Sequence, residues 1–174
     1  MRPFNVVVTT ITLLMLITTA TYAGERSTKT ITTKYAGTSQ AYCMGLVMAN
    51  EARPNVRGWV SVTHALMVRG TSGEYGAVGN FCAAARARGQ FTALVKKPTA
   101  AMLKVANQMY ADWKNGKPTI EVALQRQLDR CAYFHNDTVR PGWSYRYKSC
   151  GFVEGHFMYR HEGDPSPYRQ LASN

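Results

Sequence analysis

Tyr42-Cys43-Met44-Gly45-Leu46-Val47-Met48-Ala49-Asn50-Glu51 is an apolar run that becomes polar only at its end, and Ala52-Arg53-Pro54 then interrupts it. An apolar run of that length closed by proline predicts a buried helix over 40–51. Beyond Pro54, Val56, Trp59, Val60, Thr63, Leu66 and Met67 recur at spacings of three and four, as on the buried face of a second helix. Gly70 and Gly73 mark its stop. A short helix is predicted over Tyr75 to Ala85, then a loop over Arg86 to Lys97 that holds Gly89-Gln90-Phe91. Pro98 suits the first residue of a further helix, which runs through Met102, Val105, Met109 and Trp113 to Asn115-Gly116.

After residue 117 the texture changes. Aromatic and polar residues alternate in Cys131-Ala132-Tyr133-Phe134-His135-Asn136, Pro141-Gly142 makes a turn, and alternation returns over 150–160. Two or three short strands or extended loops are expected there. The predicted class is α+β, a helical subdomain followed by a smaller extended part.

With 45% hydrophobic and 18% charged residues in 174, the chain reads as one globular domain with a proper core. Its 21 Lys+Arg against 10 Asp+Glu give a formal charge of +11, which favours anionic partners. The cations are scattered apart from Lys96-Lys97 and Arg86/Arg88, which argues against a nucleic-acid-binding arm.

From Pro3 to Gly24 no residue is charged, and Thr21-Tyr22-Ala23 places small residues where signal peptidase reads. Residues 1–23 are predicted to be a secretory signal peptide; a retained, weakly apolar membrane anchor is the alternative. Residues 24–39 read as a polar linker, 40–162 as the domain and 163–174 as a polar tail. The chain is expected to be exported, to the periplasm or to the extracellular space and cell wall, with membrane contact only through an uncleaved N-terminal segment. In an oxidising compartment Cys43, Cys82, Cys131 and Cys150 form an even set that can pair. Three connectivities are possible. Cys131–Cys150 with Cys43–Cys82 is the preferred one, against a set of buried thiols.

Glu51 is the candidate catalytic residue. It ends the apolar helix, and the next carboxylate is Glu74. A carboxylate desolvated in such a place gains the raised pKa of a general acid, although the same position also describes an ordinary surface glutamate. Gln90, Asn136 and Tyr159 can hydrogen-bond sugar hydroxyls or acetamides, and Phe91, Phe134 or Tyr133 can stack on a sugar ring, or simply pack in the core. His156 is a candidate to orient Glu51 or to bind glycan, with a structural role equally open.

In chain order, Glu51-Ala52-Arg53, then Gly58, Val60, Val62 and Arg69, then Gly89-Gln90-Phe91-Thr92, Phe134 with Asn136, and Gly155-His156 with Tyr159-Arg160 resemble the spore-cortex-lytic (SleB-type) family of cell wall hydrolases. The resemblance covers roughly residues 42–160. The chain departs from the family pattern at Pro54-Asn55, at Tyr133 and His135, at Glu154 and at Met158. The resemblance implies a lysozyme-like α+β domain, peptidoglycan as partner and Glu51 as the acid that cleaves its glycan strand. Anionic envelope polymers are the other expected partners.

Glycoside hydrolysis needs a second carboxylate, whereas a lytic transglycosylase uses the sugar's own 6-hydroxyl and one Glu. No carboxylate follows Glu51 closely, which favours the one-carboxylate scheme without metal or cofactor, while Glu74, Asp137 or Glu154 could fold back to supply a second. Two other readings stand beside it. One is a metal-dependent amidase using His135, His156 and His161 as zinc ligands. The other is a non-catalytic basic module that binds the wall.

Overall fold

The computed structural model describes residues 39–91, 93–117, 124 and 127–167. The predicted signal segment, the linker up to residue 38 and the end of the tail lie outside the described residues. Helix α1, Gln40–Glu51, buries Ala41 and every residue from Cys43 to Met48. A helix apolar on all sides must be wrapped by other elements, and α1 is packed by three of them. They are α2 (Val56–Thr71), α3 (Phe81–Arg86) and α4 (Ala100–Lys114).

Helix α2 is also almost wholly buried, and two of its three hydroxyls are satisfied within it, while Thr63 Oγ1 is buried without a hydrogen-bond partner among the described residues. Ser61 Oγ donates to the Gly58 carbonyl, and Thr71 Oγ1 donates to the Met67 and Val68 carbonyls. Gly70 lies so close to the Phe81 ring that a Cβ there would overlap it. Helix α4 is amphipathic, with Ala106, Met109 and Trp113 at spacings of three and four as its buried stripe. Trp113 packs edge-on against Phe81, with ring centroids 4.9 Å apart.

Two of the predicted boundaries move. The third helix begins at Phe81, not near Tyr75, because Asn80 is its N-cap and accepts from the Ala83 N–H. Ahead of it, Gly73, Gly76 and Gly79 all have positive φ, which a helix excludes. The fourth helix starts at Ala100, not at Pro98, because Thr99 Oγ1 takes the cap by accepting from Met102 N.

Strands β1 (Tyr133–Asn136), β2 (Lys148–Val153) and β3 (His156–Arg160) form an antiparallel sheet in the order β1-β3-β2. Pro141 precedes a 3-10 turn, Gly142–Tyr145. The β2–β3 connection is Glu154-Gly155, with φ of 47° and 86°. Positive φ at both central positions is the requirement of a type I′ hairpin. The class is α+β, as the sequence predicts, with four helices and a small sheet among the described residues.

All four cysteines are paired. Cys43–Cys82 joins α1 to α3 and Cys131–Cys150 joins the segment before β1 to β2, with Cα–Cα distances of 5.1 and 6.5 Å. This is the preferred pairing, and two disulfides are consistent with a protein outside the reducing cytoplasm. Among the described residues no helix is long and apolar enough to cross a membrane.

His64 lies at the centre of α2 with no exposed surface. Burial lowers its pKa from 6.5 to about 4. The unfolded chain therefore takes up a proton there near pH 6.5, while the folded chain resists it until about pH 4. The stability held by the neutral ring is complete above the unfolded pKa and is lost as the pH falls below it. From pH 7 to pH 5 this single group should remove about 2 kcal/mol. Urea midpoints at the two pH values, compared with His64→Met, should show the variant with the flatter dependence.

Candidate active site

The α1–α2 junction, the Gly89–Phe91 loop, β1 and the segment after it enclose an open cleft of about 690 Å³, an ordinary size for a ligand site. Glu51, the last residue of α1, is partly buried on its wall. Among the described residues that line the cleft, Glu51 is the one carboxylate.

His156, at the start of β3, is 4% exposed, and its Nε2 donates to the Glu51 carbonyl at 2.9 Å. Burial lowers the His156 pKa and Arg53 lowers it further, against two backbone hydrogen bonds that raise it. A neutral ring that donates from Nε2 fixes its own tautomer. The side chain of Asn50 is used in full as a structural clip. Its Nδ2 donates to the Leu46 and Lys96 carbonyls, and its Oδ1 accepts from Val95 N and Lys96 N. It holds the loop after Phe91 to the end of α1.

Arg69, in the last turn of α2, is 6% exposed. Its Nε donates to the Ala132 carbonyl at 2.5 Å and its Nη1 to the Gln90 carbonyl at 2.9 Å. The guanidinium lies 4.7 Å from the Phe91 ring centroid and 5.1 Å from that of Tyr133. Burial pushes its pKa down, and nearby tyrosines, Asp164 and Glu51 oppose the shift. Tyr133 is pushed up to about 12, chiefly by burial, so its phenol remains a neutral hydrogen-bond donor.

Gln90, Phe91, Phe134, Asn136 and His156 line the cleft with Glu51. The Oδ1 of Asn136 is already engaged, accepting from the N–H and hydroxyl of Thr138. Tyr159 does not line the cleft; it is 7% exposed behind the wall. Its hydroxyl lies 3.0 Å from His135 Nε2, and His135 Nδ1 lies 2.7 Å from the Asn136 carbonyl. A carbonyl only accepts, so in the neutral ring Nδ1 carries the proton and Nε2 accepts from Tyr159. Tyr159 thus acts on the cleft through His135.

Tyr133, Trp143 and Tyr147 make the aromatic wall, with Tyr133 and Tyr147 centroids 4.7 Å apart and Trp143 and Tyr147 5.6 Å apart. Tyr147 was invisible as a site residue, since it lies outside every motif. The Tyr-x-Tyr spacing of Tyr145 and Tyr147 beside Trp143 was the available signal.

The three other carboxylates considered as partners for Glu51 lie off the cleft wall. Glu154 Oε2 accepts from Asn55 Nδ2, Asp137 pairs with Arg53 at 2.8 Å, and Glu74 lines a different recess. His135, His156 and His161 do not gather: no group of three metal-binding side chains occurs among the described residues. No known family model, curated protein or solved structure matches this chain.

Replacing His156 leaves the Glu51 carbonyl without its buried donor, and such a loss costs ~1–3 kcal/mol. His156→Leu should lower the urea midpoint accordingly, and His156→Gln, which keeps a donor, should recover part of it. An unchanged midpoint for the leucine variant would show that this bond does not hold the junction.

Proposed function

We propose that the protein cleaves the glycan strand of peptidoglycan between N-acetylmuramic acid and N-acetylglucosamine, as a distant, lysozyme-like member of the spore-cortex-lytic class. The observation that carries this reading is that Glu51 is the one carboxylate among the described residues of a cleft lined largely by aromatic rings and amides, with Arg69 and two histidines beside them. Aromatic faces suit sugar rings and amides suit hydroxyl and acetamide groups, while an isolated carboxyl suits proton transfer. The order of motifs along the chain supports the same assignment.

In this mechanism protonated Glu51 delivers its proton to the glycosidic oxygen as the bond to the anomeric carbon breaks. The electron pair leaves with the oxygen, and the sugar ring gains oxocarbenium character. Glu51, now a carboxylate, takes the proton from the 6-hydroxyl of the same muramic acid. That oxygen attacks the anomeric carbon and closes a 1,6-anhydro ring. No water is consumed, and Glu51 ends protonated as it began. Arg69, close enough to influence Glu51 electrostatically, would steady the carboxylate between the two transfers. Peptidoglycan is anionic, so the net charge of +11 draws the enzyme to it.

That same charge also supports a second reading, a wall-binding module without catalysis. Purified peptidoglycan incubated with the protein and with Glu51→Gln separates the two. Mass spectrometry should find 1,6-anhydro muropeptides, and the variant should form them ~100-fold more slowly or worse. Reducing muramic acid ends in their place would mean hydrolysis. Salt-sensitive binding with no product would leave the binding module.

A further inference from the structure

Four cations converge on a second recess that shares no lining residue with the Glu51 cleft. Arg130, Arg146, Lys148 and Arg160 surround a volume of about 480 Å³, together with His161 and Glu162. They are dispersed in the chain, and the fold assembles them. Arg130 comes just before β1, Arg146 caps the end of the 3-10 turn, Lys148 opens β2 and Arg160 closes β3.

The assembly is electrostatically unfavourable on its own. Lys148 and Arg160 are direct partners across the β2–β3 ladder, and like charges facing each other across strands destabilise the pair. Arg130 is held at a φ of 65°, and its Nε donates to the Asp164 carbonyl, which anchors that side chain at the rim. Among the described residues none of the four forms an ion pair with a carboxylate. Among the described residues Glu162 is the one acidic residue on the wall.

We propose that this recess binds a phosphate group, monoester or diester, carried on an envelope polymer. Four cations against Glu162 and the neighbouring Asp164, which interacts with Arg130, still leave two positive charges in excess, more than a lone carboxylate ligand would neutralise. Guanidinium forks match the paired oxygens of phosphate. A concave wall admits a group that projects from a chain, whereas a flat bilayer would need a flat or protruding face. The inference stands apart from the Glu51 reading, because the two walls have no residue in common.

Backbone amide NMR of the full chain, titrated with inorganic phosphate at constant ionic strength, tests it. Saturable shifts are expected at residues 146–148 and 160, with acetate binding weaker. Arg146→Gln with Lys148→Gln, both exposed positions, should weaken phosphate binding by ~10-fold or more. Lys104→Gln with Lys114→Gln, exposed on α4 and equal in charge removed, should leave it unchanged. Equal loss in both double variants would reduce the effect to net charge and overturn the site, as would shifts confined to the Glu51 cleft. A glycerol phosphate polymer should compete with inorganic phosphate. Competition by phosphatidylglycerol vesicles but not by the polymer would overturn the polymer as the source.

Discussion

The structure depends on how Glu51, the last residue of α1, and the four residues between α1 and α2 are fastened to the sheet. Glu51 to Asn55 include an extended Ala52 and a proline, and helical bonds reach them only at the edges, where Ala52 N donates to the Met48 carbonyl and the Asn55 carbonyl accepts from Trp59 N, so the helices alone do not hold them as a unit. The sheet supplies the hold. His156 donates to the Glu51 carbonyl, Asn55 Nδ2 donates to Glu154 Oε2, and Arg53 reaches Asp137. Asn55 serves twice, since its Oδ1 also caps α2 by accepting from Gly58 N at 2.7 Å. These contacts are unequal. The Arg53–Asp137 pair has side chains 54% and 42% exposed, and such pairs contribute at most about 1 kcal/mol. The His156 bond is the less exposed of the two, part-buried with its histidine ring 4% exposed, so loss of its partner costs more and it dominates.

That fastening also accounts for the hairpin. Gly155 is covered by the Arg53 guanidinium, which a Cβ would displace, and its φ of 86° suits glycine. Glu154 is a poorer fit to the left-handed region, where a side chain costs about 1–2 kcal/mol. Its carboxylate is held by Asn55, which caps the helix behind Glu51. A strained turn residue is thus retained where its side chain ties the sheet to the junction. The carboxylate that looked in the sequence like a second catalytic group is used as a structural latch.

The helices were legible because their signals are local. An apolar run closed by Pro54 and the three-and-four spacing after it marked α1 and α2 to within a residue or two. The third helix was misplaced because three glycines with positive φ suppress helix before Asn80, and a sequence does not display φ. The cleft was legible in part. Glu51, Gln90, Phe91, Phe134, Asn136 and His156 come together around one cleft, but Tyr159 does not line it. Its place in β3 turns the ring towards His135 and Trp143, 5.3 and 5.5 Å away between centroids. Which face of a short strand meets the cleft is decided by register, and register follows from the hairpin and from the bulge between Ser149 and Gly151. The basic recess was hidden for a related reason: Arg130 and Arg160 are distant in the chain from Arg146 and Lys148.

Arg69 shows what the cleft costs to build. A helical arginine is usually solvated, and this one sits among Leu66, Met67, Val68 and Gly70, all buried. Desolvating a cation is expensive unless its N–H groups find acceptors. Both carbonyls that accept from it, Ala132 and Gln90, and both rings that flank it, Phe91 and Tyr133, belong to wall segments. A charge at the C-terminal end of α2 is further favoured by the helix dipole. The compensation for burying Arg69 therefore requires the Gln90 loop and β1 to occupy fixed places on either side of it. The two walls of the cleft are set by the electrostatic needs of one buried side chain. The third side, carrying Glu51, is set by the histidine bond to its carbonyl. Position of the carboxylate and position of the rings thus follow from separate constraints, and a change to either should disturb one without dissolving the other.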